Sequence, residues 1–505
     1  MLVLDGYSVR LGDVIQTVQT GGEVAVSPKA VERMQKSRQV VEDILKTDKV
    51  VYGINTGFGK LASQKISPED LKQLQRNLVR SHAAGVGALL TEEMVRYILL
   101  LKINSLARGY SGIRPDVVNR MVEYYNRGLL PAISSKGSVG ASGDLAPLAD
   151  LALTLIGEGD FLGPDGSRQP ADGVLVREGL TPLTLLEKEG LSLINGTQVS
   201  TALAVAGYAR AKTLLNSMTL IGGFATEVML GTDTAFRPEI QEARNQSGQA
   251  RAAAMLYRVM KDSGFRHSHV KCDRVQDFYS LRCIPQVHGS AFDTLDFAAT
   301  VIEREINSAT DNPLTLNETG ELVSGGNFHA APIGHIMDYL AIVMTDVGNM
   351  SERRIAAFQD SAQSQAPMFL VKTPGLNSGF MIAHVTAASL ASENKILSHP
   401  ATVDTIPTSA NQEDHVSMAP NAGRKLLQIL ENTEWISGIE YLCCAQAADF
   451  HQELTLSPMT QKFYHRLRET VPFMEADGVF HQSIETSTEL IREGVLVDIW
   501  ERENG

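Results

Sequence analysis

The sequence predicts a mainly α-helical protein: a long helical bundle carrying a looped N-terminal head. Three observations predict it. Apolar residues recur at helical spacing through the middle and C-terminal parts, strand signals are sparse and short, and Gly-rich turn signals crowd the first part. In chain order, residues 1–4 (MLVL) read as a short strand. GGEVAVS (21–27), YGINTGFGK (52–60), HAAGVGA (82–88) and KGSVGASG (136–143) read as loops between helices. The segment 92–107 is apolar on most sides, which places it inside the assembly. After KGSVGASG a helix begins. Ser142 or Asp144 is its candidate cap, Pro147 suits its first turn, and Leu145, Leu148, Ala152 and Leu155 form a buried stripe. Pro164-Asp165-Gly166 reads as the turn of a hairpin. Segments 197–220 and 381–396 are long, Ala-rich and free of proline, and read as buried helices. Ile336, Leu340, Val343, Val347 and Met350 line one face of another.

The chain has 505 residues, 43% of them hydrophobic, enough for a large core. A net charge of −13, with no Lys/Arg run of five, does not favour nucleic acid as a partner. Four cysteines (Cys272, Cys283 and the adjacent Cys443 and Cys444) in so long a chain suggest a reducing compartment. MLVLDGYSVRLGD has neither the basic start nor the apolar core of a secretory signal. The longest apolar stretch, YILLLKINSL (97–106), is broken by Lys102 and falls far short of the roughly 20 residues of a membrane span. The expectation is a soluble cytoplasmic protein with no membrane partner.

Several motifs fail on inspection. In NTGFGK, Ile54 stands where a phosphate loop needs its first glycine and Leu61 where Ser or Thr must follow. The glycines of 137–143 follow no convincing strand, which argues against a dinucleotide fingerprint. His267, His269 and Cys272 are metal-ligand types without a second pair at zinc spacing, so no metal is expected. Neither HExxH nor GxSxG occurs.

GSVGASGDLAPLADL (137–151) is more informative. A helix start explains part of it. Backbone chemistry suggests more: a glycine amide nitrogen is uncrowded, so the chain can fold tightly enough for it to approach the carbonyl two residues back. Cyclisation with loss of two waters would turn Ala141-Ser142-Gly143 into a five-membered ring bearing an exocyclic methylene from Ser142. The positive end of the following helix would stabilise negative charge on such an electrophile.

GSVGASGDLAPLADLAL resembles the signature of the aromatic amino acid ammonia-lyases, whose cofactor is this self-made methylidene-imidazolone (MIO). The resemblance continues, in order, through YGINTGFGK (52–60), SHAAGVG (81–87), KEGLSLINGTQ (188–198), VQDFYSLRCIPQVHG (275–289), EINSATDNPL (305–314), SGGNFH (324–329), NSGFMIAHVTAASLASENK (377–395) and TIPTSANQEDHVSMA (405–419). It implies a mainly α, fumarase-like fold, a homotetramer with shared active sites, and no external cofactor. The expected organisation is a head, 1–110, contributing Tyr52 and His82, and a bundle, 111–505, bearing the triplet, as one intertwined unit without a linker.

The resemblance also implies roles. Tyr52 matches the tyrosine that takes the β-proton, and Arg282 the arginine that binds the substrate carboxylate through a planar fork that lysine cannot copy. Gln276 and Tyr279 match positions near the substrate and the ring; with Arg282 they are spaced by three and would share a helix face. Asn195 matches the asparagine bonded to the amino group or the ring oxygen, and Phe328 an aromatic beside the ring. His82 and Glu413 match positions facing an imidazole. A carboxylate accepts an imidazole N–H, whereas a phenyl ring would leave it buried and unpaired. The expected reaction is therefore elimination of ammonia from L-histidine to trans-urocanate. Tyrosine or phenylalanine elimination, a 2,3-aminomutase, and a non-catalytic helical scaffold without the ring remain as alternatives. The sequence departs from the family pattern at Phe278, where proline or a small residue is expected, and in SAQSQAPMFL (361–370), which lacks paired prolines.

Overall fold

A computed structural model describes residues 1–47, 53–54, 56, 66–269 and 274–504. The protein is mainly α-helical, and the described strands form four small two-stranded sheets. Two compact units are each assembled from three separated stretches of chain: 1–206, 299–337 and 400–424 in the first, and 207–298, 338–399 and 425–505 in the second. No described helix is long and apolar enough to cross a membrane.

The first unit contains all four sheets. Leu2–Leu4 pairs in parallel with Val24–Val26, so the predicted N-terminal strand is present. Asp160–Leu162 pairs with Arg168–Pro170 across the predicted turn, where Gly166 takes φ +76° and its N–H bonds to the Gly163 carbonyl at 2.9 Å. Val86–Leu89 pairs with Ser134–Lys136 just before the small-residue stretch. The helix Glu92–Ala107 starts at Thr91, whose side chain accepts from Met94 N–H, and it carries two glutamates in its positive first turn. Apolar on nearly every side, it is buried from Met94 to Ala107 except at Arg96.

The helix Leu145–Leu155 follows the triplet, and Leu148, Ala152 and Leu155 are buried as expected. The cap is different. Asp144 occupies the N-cap position, but its side chain does not bond to the helix's first N–H groups, nor does Ser142 serve as the cap. The Asp144 carboxylate, fully buried, instead accepts from Ser200 N–H (2.7 Å), Ser200 Oγ (2.9 Å) and Ser138 Oγ (3.0 Å). A tertiary demand outweighs the local one.

The regular elements among the second unit's described residues are all helices, joined by loops. The helix Met381–Leu397 forms as predicted but buries only Ala383, Ala387 and Asn394. Ile382, Val385 and Ile396 stay exposed, so this apolar helix is not a core helix of the single chain. In the interior, Arg354 and Glu440, both with fully buried side chains, form a two-pronged ion pair, and Ser351 donates to the same carboxylate. Removing one charge strands the other in a dry interior. Glu440→Gln is expected to cost about 3–5 kcal/mol, measured as a lower urea midpoint for the second unit; an unchanged midpoint contradicts the assignment.

Candidate active site

The site is built outward from the triplet. Gly143 takes φ +75° and forms an isolated bridge with Gly196. A Cβ on Gly143 would lie 2.2 Å from the Gly196 carbonyl oxygen and 2.5 Å from its carbon, so no other residue fits. Asp144 N–H bonds to that same oxygen at 2.7 Å. On the other side Gly140, at φ +66°, lies against Ser417, whose hydroxyl donates to the Gly140 carbonyl at 3.1 Å. Ala141 packs with Val416 and Met418. The triplet is thus held between two chain segments at the mouth of a helix.

The Ser142 hydroxyl donates to Glu413 Oε1 at 2.9 Å, joining positions 271 residues apart. Glu413 Oε2 accepts from Thr408 Oγ1 (2.7 Å) and Ser409 Oγ (2.9 Å), and a Thr408–Glu413 bridge closes the loop. Within this loop Ser409, Ala410 and Asn411 take φ of 50°, 54° and 64°. Three successive non-glycine residues in the left-handed region cost roughly 1–2 kcal/mol each. That strain is maintained where the loop presents its carboxylate to Ser142.

Asn195 ends the helix Glu189–Ile194 in an extended conformation. It is 4% exposed, and its Oδ1 has no hydrogen-bond partner among the described residues. An unsatisfied buried acceptor beside a glycine-only contact suits a bound polar group. Its backbone carbonyl accepts from Lys102 Nζ at 2.7 Å. Phe328 is half-buried in a loop whose next residue, His329, stacks on His415 at 5.7 Å and bonds to the His415 carbonyl, fastening it to the Glu413 segment. His82 ends the helix Leu71–His82, its Nδ1 2.8 Å from the Leu78 carbonyl, and the residues after it enter the strand paired with Ser134–Lys136. Ala141, Ser142, Gly143, Asn195, Phe328, His82 and Glu413 all belong to the first unit.

Gln276, Tyr279 and Arg282 belong to the second unit. The helix there covers only Tyr279–Arg282, so the expected shared face holds for two residues, and Gln276 lies before the helix. The cause is Asp277, whose carboxylate accepts from Thr232 N–H (2.7 Å) and faces Arg274, fixing the segment as a loop. The Arg282 guanidinium lies over the exposed Tyr279 ring, 4.7 Å from its centre, and its buried Nε has no partner among the described residues. Tyr52 and Cys272 lie outside the described residues.

Sequence reasoning missed Thr408 and Ser409, which hold Glu413, and the anchoring role of Asp144. It passed over Lys102, noted only as a break in an apolar run. A charge set within the apolar run YILLLKINSL, past the charged first turns of the helix, was the available signal. Among the described residues no cluster of His, Cys, Asp and Glu suits a metal.

Residues that fit a ring built from Ala141-Ser142-Gly143 are therefore present: a glycine with no room for a side chain, a serine hydroxyl held by a carboxylate, and an orphaned amide oxygen. The aromatic amino acid lyase family model matches residues 9–469. A histidine ammonia-lyase from Enterobacter sp. (strain 638) is 50% identical over 475 residues, 94% of each chain. The solved structure of histidine ammonia-lyase from Trypanosoma cruzi superposes with a TM-score of 0.92 at 38% identity, covering 99% of this chain and 95% of that one. Tyrosine aminomutase from Streptomyces globisporus superposes with 0.94 at 35% identity, covering 99% and 98%. The chain belongs to the aromatic amino acid lyase family.

Proposed function

We propose that this chain is a histidine ammonia-lyase, eliminating ammonia from L-histidine to give trans-urocanate. The observation that carries the reading is the bond from Ser142 Oγ to Glu413 Oε1, made beside a Gly143 that has room for no side chain. Relatives named for this activity, about half identical over nearly the whole length, support it.

The MIO group from Ala141-Ser142-Gly143 supplies an electrophilic carbon that makes a poor leaving group, the substrate amine, a better one. The chain's own residues do the rest. Arg282 holds the substrate carboxylate, with Gln276 and Tyr279 beside it. Tyr52 accepts the β-proton, and Asn195 offers its amide to the amino group. Phe328 packs against the reacting centre. Condensation removes the Ser142 hydroxyl, so Glu413 Oε1 loses that donor while Oε2 keeps Thr408 and Ser409. Oε1 is then free to accept an imidazole N–H of the substrate, with His82 completing the recognition. A phenyl ring offers no donor, and sites built to bond a polar group reject the analogue lacking it by about 10⁴–10⁵-fold. The helix Leu145–Leu155 turns its positive end toward the triplet.

The same reading includes a cytoplasmic homotetramer with sites shared between subunits. The exposed apolar positions of Met381–Leu397 support association through that helix.

Purified protein offered L-histidine, L-tyrosine and L-phenylalanine is expected to generate conjugated acrylate absorbance with histidine. Turnover of only the other two contradicts the substrate, and a β-amino acid product marks an aminomutase. Ser142→Ala is expected to keep its translated mass and lose activity to background; activity at the wild-type level contradicts the mechanism. Glu413→Gln replaces a charge-assisted acceptor by a neutral one. Its kcat/KM for histidine is expected to fall about 10- to 100-fold with the loss of two waters intact; wild-type kcat/KM removes Glu413 from substrate recognition.

A further inference from the structure

We propose that Lys102 is a positioning residue: it holds the Asn195-Gly196 backbone as the wall against which the triplet folds, and condensation of the triplet depends on it. The inference rests on the ring-forming reading above. Lys102 is 1% exposed, in a helix where Leu99, Leu100, Leu101 and Ile103 are buried around it. Its Nζ donates to the Asn195 carbonyl at 2.7 Å and to Gln198 Oε1 at 3.3 Å. Asn195 is where the helix Glu189–Ile194 stops, so its carbonyl faces the interior without the partner that a continuing helix would supply. Lys102 supplies that partner.

From there the contacts lead to the triplet. Gln198 donates through Nε2 to Thr310 Oγ1 at 2.7 Å. A Cβ on Gly196 would lie 2.5 Å from Gln198 Oε1, so the glutamine that Lys102 holds lies against Gly196 and leaves it no room for a side chain. Gly196 in turn accepts Asp144 N–H and lies backbone to backbone against Gly143. Lys102 touches none of the three triplet residues in the contacts described and acts through this wall. Ring closure needs the Gly143 nitrogen near the Ala141 carbonyl carbon, and a wall free to retreat no longer holds the turn tight. Burial pushes the Lys102 ammonium down to about 7, with Asp311 and Asp144 opposing the effect of burial and Lys188 adding to it. An amine donates N–H in either protonation state, so the bond to Asn195 survives deprotonation.

The test is the intact mass of the full chain over time for wild type, K102M and K102Q, with kcat and KM for L-histidine in parallel. Wild type is expected to lack two waters. K102M is expected to condense about tenfold more slowly or worse, to be isolated as a mixture of the two masses, and to show kcat per chain tracking the converted fraction. K102Q retains an N–H donor and is expected to fall between them. Conversion of folded K102M at the wild-type rate with wild-type kcat overturns the proposal. If K102M is insoluble, K102Q decides: slowed conversion supports the proposal, and wild-type mass and kinetics overturn it. Insolubility of both also overturns it, because a residue acting on one wall leaves the remaining fold intact. Wild-type protein at full translated mass sinks the ring, and with it the proposed function, whatever Lys102 does.

Discussion

Two backbones meet at Gly143 and Gly196 with no side chain between them, and the geometry of the site is referred to that contact. The approach is too close for a methyl group on Gly143, and one on Gly196 would meet the Gln198 and Thr310 side chains behind it. Such proximity requires support from behind. Asp144 supplies it on one side, reaching across to Ser200 and Ser138, and Ser417 supplies it from the segment beyond Gly140. Lys102 and Gln198 brace the opposing wall. Polar side chains buried this deeply are costly; Asp144, Ser417 and Lys102 each bond to a backbone carbonyl or amide, and Gln198 holds Lys102 and Thr310.

The second constraint is long-range. Glu413 reaches Ser142 from a loop that carries three consecutive residues in the left-handed region. A relaxed loop would aim the carboxylate elsewhere, so the unit concentrates backbone strain where a charge must be aimed. The His329–His415 stack couples the Phe328 loop to the same segment. Aromatic, acidic and triplet elements are therefore fastened to one another and not merely near one another.

Much of this was legible in the chain. Helices 92–107 and 145–155 followed from their apolar spacing, and the 160–170 hairpin from its turn residues, because local propensity and burial agree there. The triplet drew notice through the resemblance of its surroundings to the family, since glycine and serine at a helix mouth otherwise read as a cap. Three things were not. Asp144 read as a helix cap, since capping is the local rule, but its true partner, Ser200, lies 56 residues away. The helical face through Gln276 failed because Asp277 is claimed by Thr232, a contact no spacing reveals. The helix Met381–Leu397 read as core because Ala-rich apolar sequence looks alike whether the chain buries it or leaves it at its surface. In the first two cases the deciding contact was tertiary, and in the third it was burial that local sequence does not report.

Condensation of the chain upon itself is the claim on which the functional reading stands, and one fragment reports on it directly. A proteolytic peptide containing residues 137–151, taken from native protein without reduction or added nucleophile, can be weighed at high resolution. The account predicts a mass lower than the sequence requires by two molecules of water, with the deficit confined to Ala141-Ser142-Gly143. A peptide of full mass, with the serine hydroxyl intact, would contradict it.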